Sequence, residues 1–406
     1  MEYTIIGGGI AAYAALKAIR NLDRESRVTV VSAEEHCFYY RPMTPLVVKG
    51  DKERDDLLYT EKLPDFHTVH EKATCLDPKA RTITLGQGTP LSYDRLLIAT
   101  GSSPVIPAIE GIHGDNVYYL RTLADAEKLR DDARRAKTAV IIGGGLVGVK
   151  KAVALNRTGL EVTIIEQQDQ ILLPRLDRQG AAIVAAKLAD EGITILTGDT
   201  AAAIDSTAKK VTLRSGATLA ADLLCVAVGV KPNLAWLADS GLTMEQALVV
   251  DERMQTSAEH VYAAGDVVQT RDLITGRAMV SALWTNAVDM GRTAGFNMAG
   301  GKMKYPGSLE IMNATEIEKL AMISVGDIEP EGPEFEIASR RDGESYRKLV
   351  FRNDTLAGAV FLGNIDRAGI YTALIKSGRP LGNLKAKAIR GTLNYLDVYQ
   401  RQMPLQ

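Results

Sequence analysis

At the start of the chain an apolar run, Tyr3-Thr4-Ile5-Ile6, breaks into the turn Gly7-Gly8-Gly9, and an alanine-rich helical pattern follows from Ile10. The same plan recurs in mid-chain, where Val140-Ile141-Ile142 leads into Gly143-Gly144-Gly145-Leu146-Val147-Gly148. Few local patterns restrict a fold so strongly. The first glycine of each copy (Gly7, Gly143) permits a tight strand-to-helix turn, and the second (Gly9, Gly145) lets backbone approach a pyrophosphate. The third small residue (Ala12, Gly148) lets helix and strand pack closely. The helix start offers free N–H groups and a positive dipole end to phosphate.

One such turn can be purely structural. Two copies, each with a following strand and acid, are a stronger signal. About 20–30 residues after each turn, an apolar strand ends near a carboxylate suited to a ribose. These segments are Arg27-Val28-Thr29-Val30-Val31 followed by Glu34, and Glu161-Val162-Thr163-Ile164-Ile165-Glu166. Because Ser32 sits where the first strand should end, Glu35 is an alternative to Glu34. The pattern predicts an α/β protein with two dinucleotide sites.

The 406 residues suffice for two or three domains. Lys+Arg 48 against Asp+Glu 50 leaves −2, which gives no global reason for nucleic acid or a membrane as partner. The chain enters its first strand at once, leaving no room for a signal peptide, and no apolar run approaches the ~20 residues that span a bilayer. The expectation is a cytoplasmic protein. Cys37, Cys75 and Cys225 form no close pair, so neither a metal cage nor a local redox disulfide is encoded. Cys75 and Cys225 read as small buried hydrophobes.

Further along, 68–76 and 81–85 read as strands, 93–101 as a buried strand ending in a small-residue turn, and 102–107 as a linker. A charged helix is expected over 123–135 and another over 177–191. A strand at 193–196, a hairpin over 211–219 and a strand over 223–228 complete the second unit. Residues 255–266 form a short buried strand closing in Gly265-Asp266, before a helix over 284–299. Beyond 305 three strand-like runs (334–339, 346–351, 357–362) precede two helical patterns.

This order of motifs resembles the flavin-dependent pyridine-nucleotide reductases of the glutathione-reductase superfamily across nearly the whole chain. The features that carry the resemblance are Gly7-x-Gly9-x-x-Ala12, Asp94 through Gly101, Gly143-x-Gly145-x-x-Gly148, Val226-x-Val228-Gly229-Val230-Lys231-Pro232-Asn233, and Tyr262 through Asp266. The resemblance implies an FAD-binding domain over 1–112 and 245–304, an inserted NAD-binding domain over 113–244, and a C-terminal α+β interface domain over 305–406. It implies hydride transfer between NAD(H) and the flavin. By the same resemblance Gly7, Gly9, Ala12, Glu34, Arg41, Pro42, Thr100, Gly101, Gly265, Asp266, Trp284 and Thr285 contact FAD. Gly143, Gly145, Gly148, Glu166 and Gly229 contact NAD. The helix from Trp284 would aim its dipole at the pyrimidine edge of the flavin, favouring the reduced, more negative ring. At Glu166, a 2′-phosphate about 4 Å away would be repelled by about 4 kcal/mol at an effective dielectric of 20. Gln167 and Gln168 supply no arginine to offset that, so NADH is preferred over NADPH.

Two departures narrow the branch. Where the single redox cysteine of some relatives falls, counted back from Lys49-Gly50, this chain has Pro42, and Cys37 is displaced. Arg41-Pro42 matches the Arg-Pro-Pro-Leu segment of the branch without that cysteine, which includes rubredoxin and ferredoxin reductases, nitrite reductase flavin portions and flavin subunits of larger complexes. In several of these a lysine pairs with a glutamate two residues past the third glycine; here those positions hold Leu46 and Lys150. Lys150 is either a cation near the flavin or nicotinamide, or a solvated helix lysine beside Lys151.

Without a redox cysteine, electrons must leave for an acceptor outside the chain. The leading expectation is an NADH:acceptor flavoprotein serving an iron–sulfur or rubredoxin-type protein, alone or as a subunit of a complex, and forming a homodimer or hetero-oligomer through its last domain. An NADH oxidase and an NADH-regulated assembly module stay open. From Arg367 to Arg401, seven cations (Arg367, Lys376, Arg379, Lys385, Lys387, Arg390, Arg401) face one acid, Asp397, and read as a docking face for an acidic carrier or as a solvated helical face.

Overall fold

The computed structural model describes residues 1–59 and 65–399. Its core is two five-stranded parallel sheets of the same plan. The first has the order Val261–Ala263, Arg95–Ile98, Glu2–Ile6, Arg27–Val31, His67–Val69. The second runs Thr194–Thr197, Glu161–Glu166, Thr138–Ile142, Leu223–Val226, Val117–Tyr118. In each, the glycine turn follows the central strand, which is buried almost throughout. A parallel strand covered on both faces needs such an apolar run. Each fully buried Ile, Val or Leu contributes about 1.5–3 kcal/mol.

The chain leaves the first sheet after Ile98 and returns to it at Val261. The helix Ile10–Leu22 crosses the returning helix Trp284–Met298 at very short range, because side chains at Gly291 and Gly295 would collide with the carbonyls of Ala11 and Ala15.

The last part is a five-stranded antiparallel sheet ordered Met312–Ile317, Leu320–Gly326, Thr355–Leu362, Ser345–Arg352, Phe335–Asp342. One face shares a core with the second nucleotide unit through Ile317, Met322, Tyr346, Val360 and Leu362. The other packs on the helices Ala368–Ser377 and Leu384–Arg390. The architecture is therefore two Rossmann-like α/β cores with a C-terminal α+β unit, as expected.

Some local expectations were incorrect. The run at 68–76 is two strands in different sheets, His67–Val69 and Ala73–Asp77, separated by the polar His70-Glu71-Lys72. The segment read as a linker contains a strand, Ser102–Pro104, paired antiparallel with Val230–Pro232. Proline is compatible with that ribbon because it lies at an edge. The strands Ala201–Asp205, Met312–Ile317 and Leu320–Gly326 were missed, their apolar residues being interleaved with polar or small ones. Cys75 is exposed rather than buried, whereas Cys225 is buried. Arg401 lies outside the described residues.

Candidate functional site

At the first turn Gly7 has φ +122°, and a Cβ there would collide with the Ala99 carbonyl. Gly9 faces open space, with nothing within 4 Å of an ideal Cβ. It starts the Ile10–Leu22 helix with no side-chain cap and no acid in the first turn. The free amides there are suited to an anion. Ala12 is fully buried.

Gly9 lies on one wall of a cleft of about 880 Å³ between the two sheets' C-terminal ends and the C-terminal sheet. Of the residues expected at FAD, Arg41, Pro42, Gly101, Gly265, Asp266, Trp284 and Thr285 also line it. Gly7, Ala12, Glu34 and Thr100 do not line it. Open α/β sheets bind ligands at this end, beyond the strand carboxyl termini.

Arg41 and Glu34, read from sequence as separate contacts, form one unit. Arg41 Nη2 donates to Glu34 Oε1 at 2.7 Å, and the Tyr39 hydroxyl donates to Glu34 Oε2 at 2.7 Å. The guanidinium also lies over the Tyr39 ring at 4.7 Å. Glu34 is half-buried, while the alternative acid, Glu35, is 82% exposed. Asp266 accepts from the Ser102 hydroxyl at 2.7 Å and from Arg121 Nη2 at 3.0 Å. Arg121 was missed in the sequence; its carbonyl in turn accepts from Arg41 Nη1 at 2.6 Å. Asn233 ties in the turn after Ile98, donating to the Thr100 carbonyl from its side chain and to the Gly101 carbonyl from its backbone. Trp284 is partly exposed at the head of its helix, stacked 6.4 Å from the Tyr40 ring.

The second turn repeats the geometry. Gly143 has φ +105°, Gly145 is open, and a side chain on Gly148 would strike the Gly143 carbonyl. Glu166 accepts from the amides of Gly144 at 2.6 Å and Gln168 at 2.8 Å. Two backbone donors hold the carboxylate in place and leave lone pairs for ribose hydroxyls. Gly229 holds the end of the edge ribbon through its carbonyl, bonded to Val105 N. None of these five residues lines the 880 Å³ cleft; the second unit contributes Leu146, Val147 and Lys150 there.

Lys150 is not a fully solvated lysine. It is half-buried at the cleft, and its Nζ donates to the Glu316 carbonyl at 2.6 Å. Burial pushes its pKa below the ordinary lysine value, partly opposed by Glu316. Lys151 is not solvated either: it is 2% exposed and donates to the Val226 carbonyl at 2.9 Å. Burial lowers its pKa too.

The thiols stand apart from this chemistry. Cys37 lies against Gly8, and burial pushes its pKa up. Cys225 is pushed up to about 11 by burial. No cysteine lines the cleft among the described residues.

Among the described residues, two of the seven cations in the C-terminal run are ion-paired. Lys385 pairs with Glu336 at 2.8 Å and Lys387 with Asp397 at 2.6 Å, while Arg367 donates to the carbonyls of Gly391 and Leu393.

The residues fit a bound dinucleotide. Besides the open Gly9 and its uncapped helix, two buried polar atoms on the cleft wall, Thr285 Oγ1 and Asn313 Nδ2, have no hydrogen-bond partner. Buried polar atoms without partners are uncommon in native folds.

Two nucleotide turns on paired α/β cores, with a cleft between them and a third unit, define a class of two-nucleotide redox enzymes. The chain belongs to the pyridine nucleotide-disulphide oxidoreductase family, whose model matches residues 1–291; the rubredoxin NAD+ reductase C-terminal domain matches 311–379. It is 35% identical to the NADH-dependent phenylglyoxylate dehydrogenase subunit epsilon of Aromatoleum evansii, over 97% of this chain and 95% of that protein. It is 28% identical to the assimilatory nitrate reductase electron transfer subunit of Bacillus subtilis, over 92% of this chain but 49% of that protein, about half its length. A solved structure of an NAD-dependent persulfide reductase from A. fulgidus superposes with TM-score 0.88 at 29% identity, covering 95% of this chain and 79% of that one. The protein is an FAD-dependent NADH oxidoreductase. Among the described residues, no helix is long and apolar enough to cross a membrane.

Proposed function

We propose that this protein exchanges electrons between NADH and an iron–sulfur or rubredoxin-type protein, as the flavin subunit of a larger oxidoreductase. The observation that carries this reading is a nucleotide cleft with no cysteine on its wall among the described residues. A thiol relay has no starting point there, so electrons pass to an acceptor outside the chain. The match of residues 311–379 to a rubredoxin reductase C-terminal domain supports a protein carrier. The likeness to a dehydrogenase subunit along nearly its whole length supports assembly into a complex.

On this reading residues 1–112 and 245–304 bind FAD, 113–244 bind NADH, and 305–406 form the contact with other subunits, in the cytoplasm. Bound FAD supplies two-electron exchange with NADH and one-electron exchange with a carrier. The chain's own residues bind and orient. The amides after Gly9 and the Arg41–Glu34 unit hold the pyrophosphate and adenosine ribose, and Asp266, fixed by Ser102 and Arg121, accepts from the ribityl chain. Glu166 holds the ribose of NADH. Lys150 places a cation at the nicotinamide side of the cleft.

The test is rapid mixing of NADH-reduced protein with a rubredoxin, with a small ferredoxin, and with dioxygen. Oxidation by a carrier at least tenfold faster than by dioxygen is expected. Faster oxidation by dioxygen would move the assignment to an oxidase.

A further inference from the structure

Among the described residues, two buried polar atoms on the cleft wall have no hydrogen-bond partner, Thr285 Oγ1 and Asn313 Nδ2. They come from different parts of the chain. Thr285 is in the first turn of the Trp284–Met298 helix, which has no acid and no side-chain cap at its start. Asn313 is in the edge strand Met312–Ile317 of the C-terminal sheet and is 9% exposed.

A strong tie holds these elements together. Asn286 Nδ2 donates to the Leu309 carbonyl at 3.0 Å and to Ser281 Oγ at 2.6 Å, fastening the helix start just ahead of the strand. The neighbouring strand cannot satisfy Asn313. Its register partner is Ser324, whose hydroxyl donates instead to the Arg175 carbonyl at 2.6 Å. By strand alternation Asn313 shares its face with Ser324 and Thr315, while Met312, Ile323 and Val325, also at the cleft, lie on the other face. A buried carboxamide without a partner is costly unless a ligand meets it.

We infer that Asn313 is a hydrogen-bond donor to the polar edge of the bound isoalloxazine, acting beside Thr285 and the free amides of the Trp284 helix. Through it the C-terminal unit, the part that bears the rubredoxin-reductase likeness, touches the redox group directly. The reduced ring carries more negative charge than the oxidised ring, so a donor aimed at its carbonyl edge binds the reduced form more tightly. Asn313 therefore raises the flavin potential. This rests on FAD occupying the cleft.

The experiment uses the FAD-loaded wild type, Asn313→Leu and Asn313→Asp. The flavin potential is measured by dye equilibration, and FAD affinity by fluorescence. Asn313→Leu keeps the shape without the donor. It should weaken the preference for reduced over oxidised flavin about tenfold, a potential about 30 mV lower for a two-electron couple. Asn313→Asp places a carboxylate at the same point and should lower it further, so the sign is read even if the leucine variant fails to fold. Variants that bind FAD with the wild-type potential would overturn the role of Asn313 alone. Wild-type protein that binds no FAD would overturn the assignment of the cleft itself.

Discussion

Arg121 donates to Asp266 at 3.0 Å, joining residues 145 positions apart. Arg121 lies between the Val117–Tyr118 strand of the second sheet and the Leu123–Ala133 helix, while Asp266 follows the strand that returns to the first sheet. The ion pair is partly buried, with side-chain exposures of 28% and 16%. It offsets a carboxylate that would otherwise face an anionic cofactor.

Arg121→Ala should therefore weaken FAD binding about tenfold, in line with about 1.5–3 kcal/mol for a hydrogen bond to a charged group. Ser102→Ala, which removes a neutral donor to the same carboxylate, should cost less. Titrating apoprotein with FAD checks both. Equal effects of the two variants would count against a charge role for Arg121.

Glu166 is held by two amides and turned toward the second turn. Glu166→Ala should raise the KM for NADH about tenfold with little change in kcat, since the contact acts on ground and transition states alike. Glu166→Arg should narrow the preference for NADH over NADPH. Steady-state kinetics with both nucleotides measures this. An unchanged nucleotide ratio would remove Glu166 from ribose recognition.

Lys150 donates a hydrogen bond to a backbone carbonyl and has a lowered pKa through burial. Below that pKa the ammonium is positive and favours the reduced, negative flavin. Lys150→Met should therefore lower the flavin potential at neutral pH. The gap from wild type should close as pH rises through the lowered lysine pKa. Potentials of both proteins from pH 7 to about 11 show the trend. A gap that is absent, or constant with pH, would exclude the cation.

Asp222 stabilises the second sheet. It accepts from the amides of Lys137 and Thr138 at 2.9 and 3.1 Å and pairs with Lys209 at 3.0 Å. The Lys137 amide first, then the Lys209 ammonium, hold its carboxyl down at about 2. A depressed carboxyl contributes fully above its unfolded value, about 3.9, and the contribution is lost as pH falls through about 2. Asp222→Asn should cost about 1–2 kcal/mol at neutral pH and flatten acid unfolding over that window. Urea melts at several pH values measure it.

What was legible in the sequence depended on distance along the chain. Gly7, Gly9, Gly143 and Glu166 act through one strand–turn–helix unit, so spacing exposes them. Asp266 was legible because it closes a buried strand. Arg121 carries no local signature, since its partners Asp266 and Arg41 are set by how the units pack. The lysine pair left two readings open for a geometric reason. Successive helical residues point about 100° apart, so Lys150 reaches the C-terminal sheet while Lys151 turns under the Leu223–Val226 strand. Two adjacent charges in sequence look like one solvated face.

The most direct test of the central claim is an anaerobic titration of the FAD-loaded protein with NADH, followed by air. Bleaching of the flavin by one equivalent of NADH, with slow recovery in air and fast recovery on adding a one-electron carrier, is the predicted result. Flavin that stays oxidised with NADH bound, or that recovers in air as fast as with the carrier, would contradict it.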